Sequence, residues 1–184
     1  MGAQAKLKIS DLKKELKGYD QKELIQLITD LYKLNEDVQD YLAVKMNRED
    51  TVSILYEKAQ KEILNEFFPT KGFGKMRLAK AKKAITDFKK VTGDHENTIS
   101  LMLYYVETGT EFTNAYGDID GRFYDSMLSV YHNVIVECEK DRELFMKFRD
   151  RLYEVVAESE GIGWGYHHGL TDYYDSISWL EEES

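Results

Sequence analysis

Apolar residues recur along this chain at three- and four-residue spacing, with charged residues between them, from Ile9 to Leu180. That period lays one stripe along an α-helix, and no stretch shows the two-residue alternation of a half-buried strand. Ile9, Leu12, Leu16 and Tyr19 predict a short first helix with Ser10 as its N-cap. Gly18 breaks it. Asp20 with Glu23 has the form of a capping box, and Leu24, Leu27, Ile28, Leu31 and Leu34 carry the second stripe. Asn35 caps a third helix bearing Val38, Tyr41 and Leu42. A fourth, over 49–66, ends at Phe67-Phe68-Pro69, because the residue before a proline is pushed out of the helical region.

The loop 70–75 opens a fifth helix with two distinct faces. Leu78, Ala81, Ala84, Ile85, Phe88 and Val91 share one side, and Lys75, Lys80, Lys82, Lys83, Lys89 and Lys90 the other. Gly93 and Asp94 separate it from a sixth (Ile99, Met102, Leu103, Val106), which Thr108-Gly109-Thr110 is expected to break. A seventh spans about 121–139, and Asp141 caps an eighth. The glycine-rich run 161–170 precedes a final helix through Tyr173, Ile177, Trp179 and Leu180. The expected fold is all-α: a single-domain antiparallel bundle or short helical superhelix of eight or nine helices over 1–184. Within it, 7–34 forms a semi-independent N-terminal hairpin.

Composition agrees and narrows the setting. A chain of 184 residues, 42% hydrophobic, can bury a core without metals or disulfides. A single proline suits long helices, and the lone Cys138 has no partner for an internal bridge. No apolar run is long enough for a membrane, and the N-terminus lacks the apolar segment of a signal peptide, so a cytoplasmic protein is expected. Met1-Gly2 fails as a myristoylation signal because Lys6 stands where Ser or Thr is needed. The net charge of −9 argues against general nucleic-acid binding, but it is unevenly spread. Residues 71–90 hold eight Lys or Arg against one Asp, whereas 158–184 hold seven Asp or Glu and no Lys or Arg.

Several motifs fail on their own chemistry. Placing Gly121 at the sixth position of a calcium loop puts Tyr116 first and Met127 twelfth, where oxygen ligands are required. Gly161-x-Gly163-x-Gly165 lacks both the preceding strand and the third glycine of a dinucleotide loop. Gly72-Phe73-Gly74-Lys75 lacks the spacing of a phosphate loop, yet it sets Lys71, Lys75 and Arg77 near a helix N-terminus, where an anion is favoured. His168, Asp172 and Asp175 share one face of a continuous helix, so a divalent metal or an acid–base pair is a secondary reading; otherwise Asp172 caps the last helix.

Consecutive antiparallel helices put alternate connections at the same end. The connections 67–75, 109–120 and 159–168 therefore share one end, and they hold most of the glycines, loop aromatics and polar residues of unusual type. The intervening connections, 92–94 and 139–141, are short and plain. A polar site is expected where the three meet, drawn from Lys71, Lys75, Arg77, Glu111, Asn114, Asp118, Asp120, Trp164, His167 and His168. The alternative is that these residues only lock helix corners.

Two resemblances bear on this. Residues 7–34, with Leu12-Lys13-Lys14-Glu15-Leu16 and Lys22-Glu23-Leu24-Ile25, resemble the SAP-type helix-extension-helix DNA module, although its connection is reduced here to Gly18-Tyr19-Asp20. The segments Glu66-Phe67-Phe68-Pro69, Glu111-Phe112-Thr113-Asn114, Tyr116-Gly117-Asp118-Ile119-Asp120 and Gly161-Ile162-Gly163-Trp164-Gly165 resemble a family of small bacterial all-helical proteins known only as a domain of unknown function. That resemblance implies a bacterial source and brings no activity, cofactor or catalytic residue. The leading expectation is a helical binding or scaffold protein without a cofactor, leaning away from catalysis. Its three-loop end would take a protein partner or a small anionic ligand. The alternatives are a metal- or carboxylate-dependent hydrolase using His168, Asp172 and Asp175, and nucleic-acid binding through the hairpin and the lysine-rich helix.

Overall fold

The computed structural model describes residues 7–183, so Met1, Gly2 and Lys6, on which the myristoylation reading turns, lie outside the described residues. Nine α-helices and one 3₁₀ turn, with no strand, make up the described residues. The chain divides into two compact units, 1–48 and 49–184.

The first unit holds α1 (Ile9–Leu16), α2 (Gln21–Leu34) and α3 (Glu36–Met46). Lys8, not Ser10, stands at the N-cap of α1, and the Ser10 hydroxyl turns to Asp11 instead. The capping box of α2 is present: the Asp20 carboxylate accepts from Glu23 N and that of Glu23 accepts from Asp20 N. Asn35 ends α2 and caps α3, its Oδ1 accepting from Asp37 N and Val38 N.

The second unit is an antiparallel bundle of α4 (Arg48–Phe67), α5 (Leu78–Thr92), α6 (His95–Tyr116), α7 (Gly121–Lys140), α8 (Arg142–Glu158) and α9 (Tyr166–Asp175), followed by the 3₁₀ turn Ser178–Glu183. Helix α6 packs on α5, α7 and α8, and α7 packs on α6, α8 and α9. Their core is rich in aromatics: Phe67 meets Tyr105, Phe112 and Phe123 edge-on, the arrangement that ring quadrupoles favour. A polar strut ties α4, α6 and α8 together. Arg151 grips the Glu107 carboxylate with two N–H groups (2.7 and 2.8 Å) and reaches Ser100 Oγ at 2.8 Å, while Tyr56 meets the same Ser100.

Three expectations need correction. Thr108-Gly109-Thr110 does not break α6. Both threonine hydroxyls bond back to carbonyls four residues earlier, Tyr104 O and Val106 O, and Gly109 is the site where α7 crosses. A Cβ there would lie 2.4 Å from Met127 Sδ, so the glycine allows close packing inside a continuous helix. Helix α5 starts at Leu78, which leaves Lys75 in the preceding loop. The last helix stops at Asp175, and Asp172 lies within α9 and does not cap it. None of the helices among the described residues is long and apolar enough to cross a membrane.

Candidate functional site

All three connections lie in the second unit and meet at one end of its bundle. The first, 68–77, folds back on the end of α4. Glu66 is 1% exposed, and its carboxylate takes two hydrogen bonds from Arg77 (both 2.9 Å) and an ion pair from Lys80 at 3.2 Å. The Arg77 hydrogen bonds hold the Glu66 carboxyl below the ordinary range, against the opposing effect of burial. Met76 N donates to Glu66 O, and a Cβ on Gly74 would stand 2.1 Å from Phe67 O. The loop therefore closes against backbone.

Aromatic stacking joins this loop to the next. Phe68 lies 5.5 Å from Phe112 and 6.1 Å from Tyr116 (ring centroids), at the C-terminal end of α6. With α6 running unbroken to Tyr116, the second connection shrinks to 117–120. Tyr124 braces it. Its hydroxyl donates to Asp118 Oδ1 (3.1 Å), accepts from Ile119 N and lies 2.6 Å from Thr113 Oγ1. Burial raises the Tyr124 phenol above its ordinary range, so it stays protonated as a donor.

The third connection, 159–165, is pinned to the second. Asn114 donates to Glu158 O (2.8 Å), Gly163 N approaches Asp118 Oδ1 at 3.4 Å, and a Cβ on Gly121 would meet the Trp164 ring at 3.6 Å. Below this corner, Tyr166 is fully buried, with its hydroxyl 2.7 Å from Thr110 Oγ1. Thr110 spends its own proton on Val106 O, so the tyrosine is the donor.

The expected site residues thus fall into separate groups. Asn114, Asp118, Asp120 and His167 hold the corner: Asp120 caps α7 by accepting from Phe123 N, and His167 Nδ1 lies 2.9 Å from Ser159 Oγ. Lys71, Lys75, Glu111 and His168 are exposed around it. Arg77 engages Glu66 through Nε and Nη2, so its charge at the start of α5 is already paired with a carboxylate. Trp164 does not fill a packed corner. It is 63% exposed.

The Ser159–His167 pair has the spacing of a nucleophile and its base, but its surroundings forbid that role. Ser159 is fully buried, and its hydroxyl donates to Val156 O at 2.6 Å. The hydrogen-bond pattern therefore assigns the proton to His167 Nδ1, with the serine as acceptor. On α9, His168, Asp172 and Asp175 are all exposed. Among the described residues no group of three or more His, Cys, Asp or Glu is gathered to hold a metal ion. Cys138 is buried, and burial pushes its thiol up to about 12. His95 pairs with Glu137 at 3.4 Å, and His132 packs on Tyr173.

Sequence reasoning singled out Trp164 among the loop aromatics at this end but left Phe73 and Tyr116 out of the site. Each connection presents one exposed aromatic: Phe73 (87%), Tyr116 at the end of α6 (59%) and Trp164 (63%). Among the described residues only two non-glycine residues have positive φ, Met76 (47°) and Trp164 (60°), and both lie in these connections. Glu66 was also overlooked as the anchor. Its signal was present, since it falls on the buried stripe with Ala59, Ile63 and Phe67, where an acidic side chain needs a partner.

The match to a family is broad: the model of a family of unknown function, DUF6155, covers residues 7–178. The chain belongs to the DUF6155 family. No curated protein and no solved structure matches the chain. The DUF6155 match spans both units, so the exposed aromatics and the N-terminal hairpin fall within one family region.

Proposed function

We propose that this DUF6155 chain is a helical binding protein whose recognition surface is the end of the bundle formed by the three connections. The observation that carries this reading is the backbone of Trp164. A bulky residue in the left-handed region costs on the order of 1–3 kcal/mol and persists only where its surroundings hold it. Here that cost presents an indole to solvent on a corner fixed by Asp118, Asn114 and Ser159. A protein partner suits this surface better than a small anion. Rigid exposed aromatics supply contact area at low entropic cost, and Arg77 is already committed to Glu66. A replacement of Phe73, Tyr116 and Trp164 together by alanine tests it, with far-UV circular dichroism to show the fold intact. Affinity capture from the source cells should lose specific partners with the triple variant. An unchanged set of captured proteins overturns the reading.

A further inference from the structure

Helix α5 buries Ala81, Ala84, Ile85 and Phe88 and carries its lysines on the opposite face. Residues 71–90 hold eight Lys or Arg and a single acidic residue, Asp87, whereas the rest of the chain holds seventeen against thirty-three. The fold neutralises only part of this local charge. Asp87 pairs with Lys83, and the buried Glu66 is shared by Arg77 and Lys80. Among the described residues Lys71, Lys75, Lys82 and Lys90 make no ion pair, and Lys71, Lys75 and Lys90 are exposed. A solvated helix face ordinarily mixes both signs, with acids and bases supporting each other at three- and four-residue spacing. Only Asp87 does so on α5.

We propose that the lysine face of α5, with Lys71 and Lys75 at its start, binds an acidic polypeptide segment of a partner protein. Charge complementarity selects the occupant, and its extent sets the size. Helix α5 has fifteen residues, about 22 Å at the helical rise, which six or seven extended residues would span. A nucleic-acid duplex or an anionic bilayer is broader than this strip and would also meet the carboxylates that dominate the remainder of the chain. The exposed positions of α5 include no aromatic residue on which a single-stranded base could stack. The chain does not supply the missing carboxylates itself. Within the second unit α9 packs on α7 and α8, whereas α5 packs on α6. Residues 1–48 hold nine Lys or Arg against eight Asp or Glu, so they bring no surplus of negative charge. The proposal does not depend on the exposed aromatics of the three connections.

Fluorescence anisotropy of a labelled decaglutamate peptide titrated with the full chain tests the proposal. The wild type should bind the peptide at low ionic strength and release it as salt screens the contact. Reversing Lys71, Lys75 and Lys82 together to Glu should weaken binding at least about tenfold, with an unchanged far-UV spectrum. Lys13→Glu, Lys14→Glu and Lys17→Glu together make the same change in net charge at exposed positions of α1, and this variant should bind like the wild type. A thymidine oligonucleotide and phosphatidylserine vesicles serve as the competing polyanions. Three results would overturn the proposal: no binding of decaglutamate by the wild type, equal losses in the two triple variants, or tighter binding of the oligonucleotide or the vesicles than of the peptide at the same salt.

Discussion

Arg77 closes a clasp on Glu66: two of its N–H groups meet the two oxygens of a carboxylate that has almost no contact with water. Ten residues of chain lie between the pair, and they include the exposed Phe73. The clasp thus converts a surface loop into a fixed wall of the site.

The clasp should be sensitive to acid. The Glu66 carboxyl titrates below its ordinary value of 4.5, chiefly through Arg77, so the folded protein binds that proton less readily than the unfolded chain. Its stabilising contribution is complete above the ordinary carboxylate range and is lost as pH falls through the lowered folded value. Arg77→Ala should therefore cost about 2 kcal/mol near neutrality, and this difference should narrow below pH 4. Urea unfolding of both proteins at several pH values checks it; a difference independent of pH contradicts the assignment.

Gly74 and Gly72 should respond differently to alanine, although they sit two residues apart. At Gly74 a methyl group would meet the Phe67 carbonyl at 2.1 Å, and a backbone atom cannot swing aside. At Gly72 nothing lies within reach, and the cost is that of a φ of 78°. Gly72→Ala should lose about 1 kcal/mol. Gly74→Ala should lose more, about 3 kcal/mol by overpacking, and should open the loop to proteolysis. Limited proteolysis beside thermal unfolding measures both, and equal effects would contradict this packing.

The Tyr166–Thr110 hydrogen bond gives an asymmetric prediction. Tyr166→Phe leaves Thr110 still donating to Val106 O, so it should cost only about 1 kcal/mol. Thr110→Val leaves a fully buried phenol without an acceptor and should cost roughly 2–3 kcal/mol. Chemical denaturation of the two variants decides, and the reverse order would show that the threonine is the donor.

Much of the helical scaffold was legible because caps and stripes are local. Asp20, Asn35, Asp94, Asp120 and Asp141 each accept from N–H groups at a helix start, as short polar residues before an apolar period should. Gly109 misled because glycine inside a helix signals either an end or a close crossing, and only the packed partner, Met127, distinguishes them. The meeting of the three connections followed from antiparallel order alone. The outward turn of Trp164 did not, since it depends on a local φ and on Asp118, forty-six residues away in the chain. The partnering of Glu66 by Arg77 was equally non-local.

The central claim is that Phe73, Tyr116 and Trp164 mark a surface where a protein partner binds. A photo-crosslinking residue placed singly at each position, and at the exposed Tyr153 as a control, tests this in the source cells. Discrete, reproducible crosslinked species from positions 73, 116 and 164, and none from 153, are the expected result. Crosslinks absent at all four positions, or equal at the control, would contradict the claim.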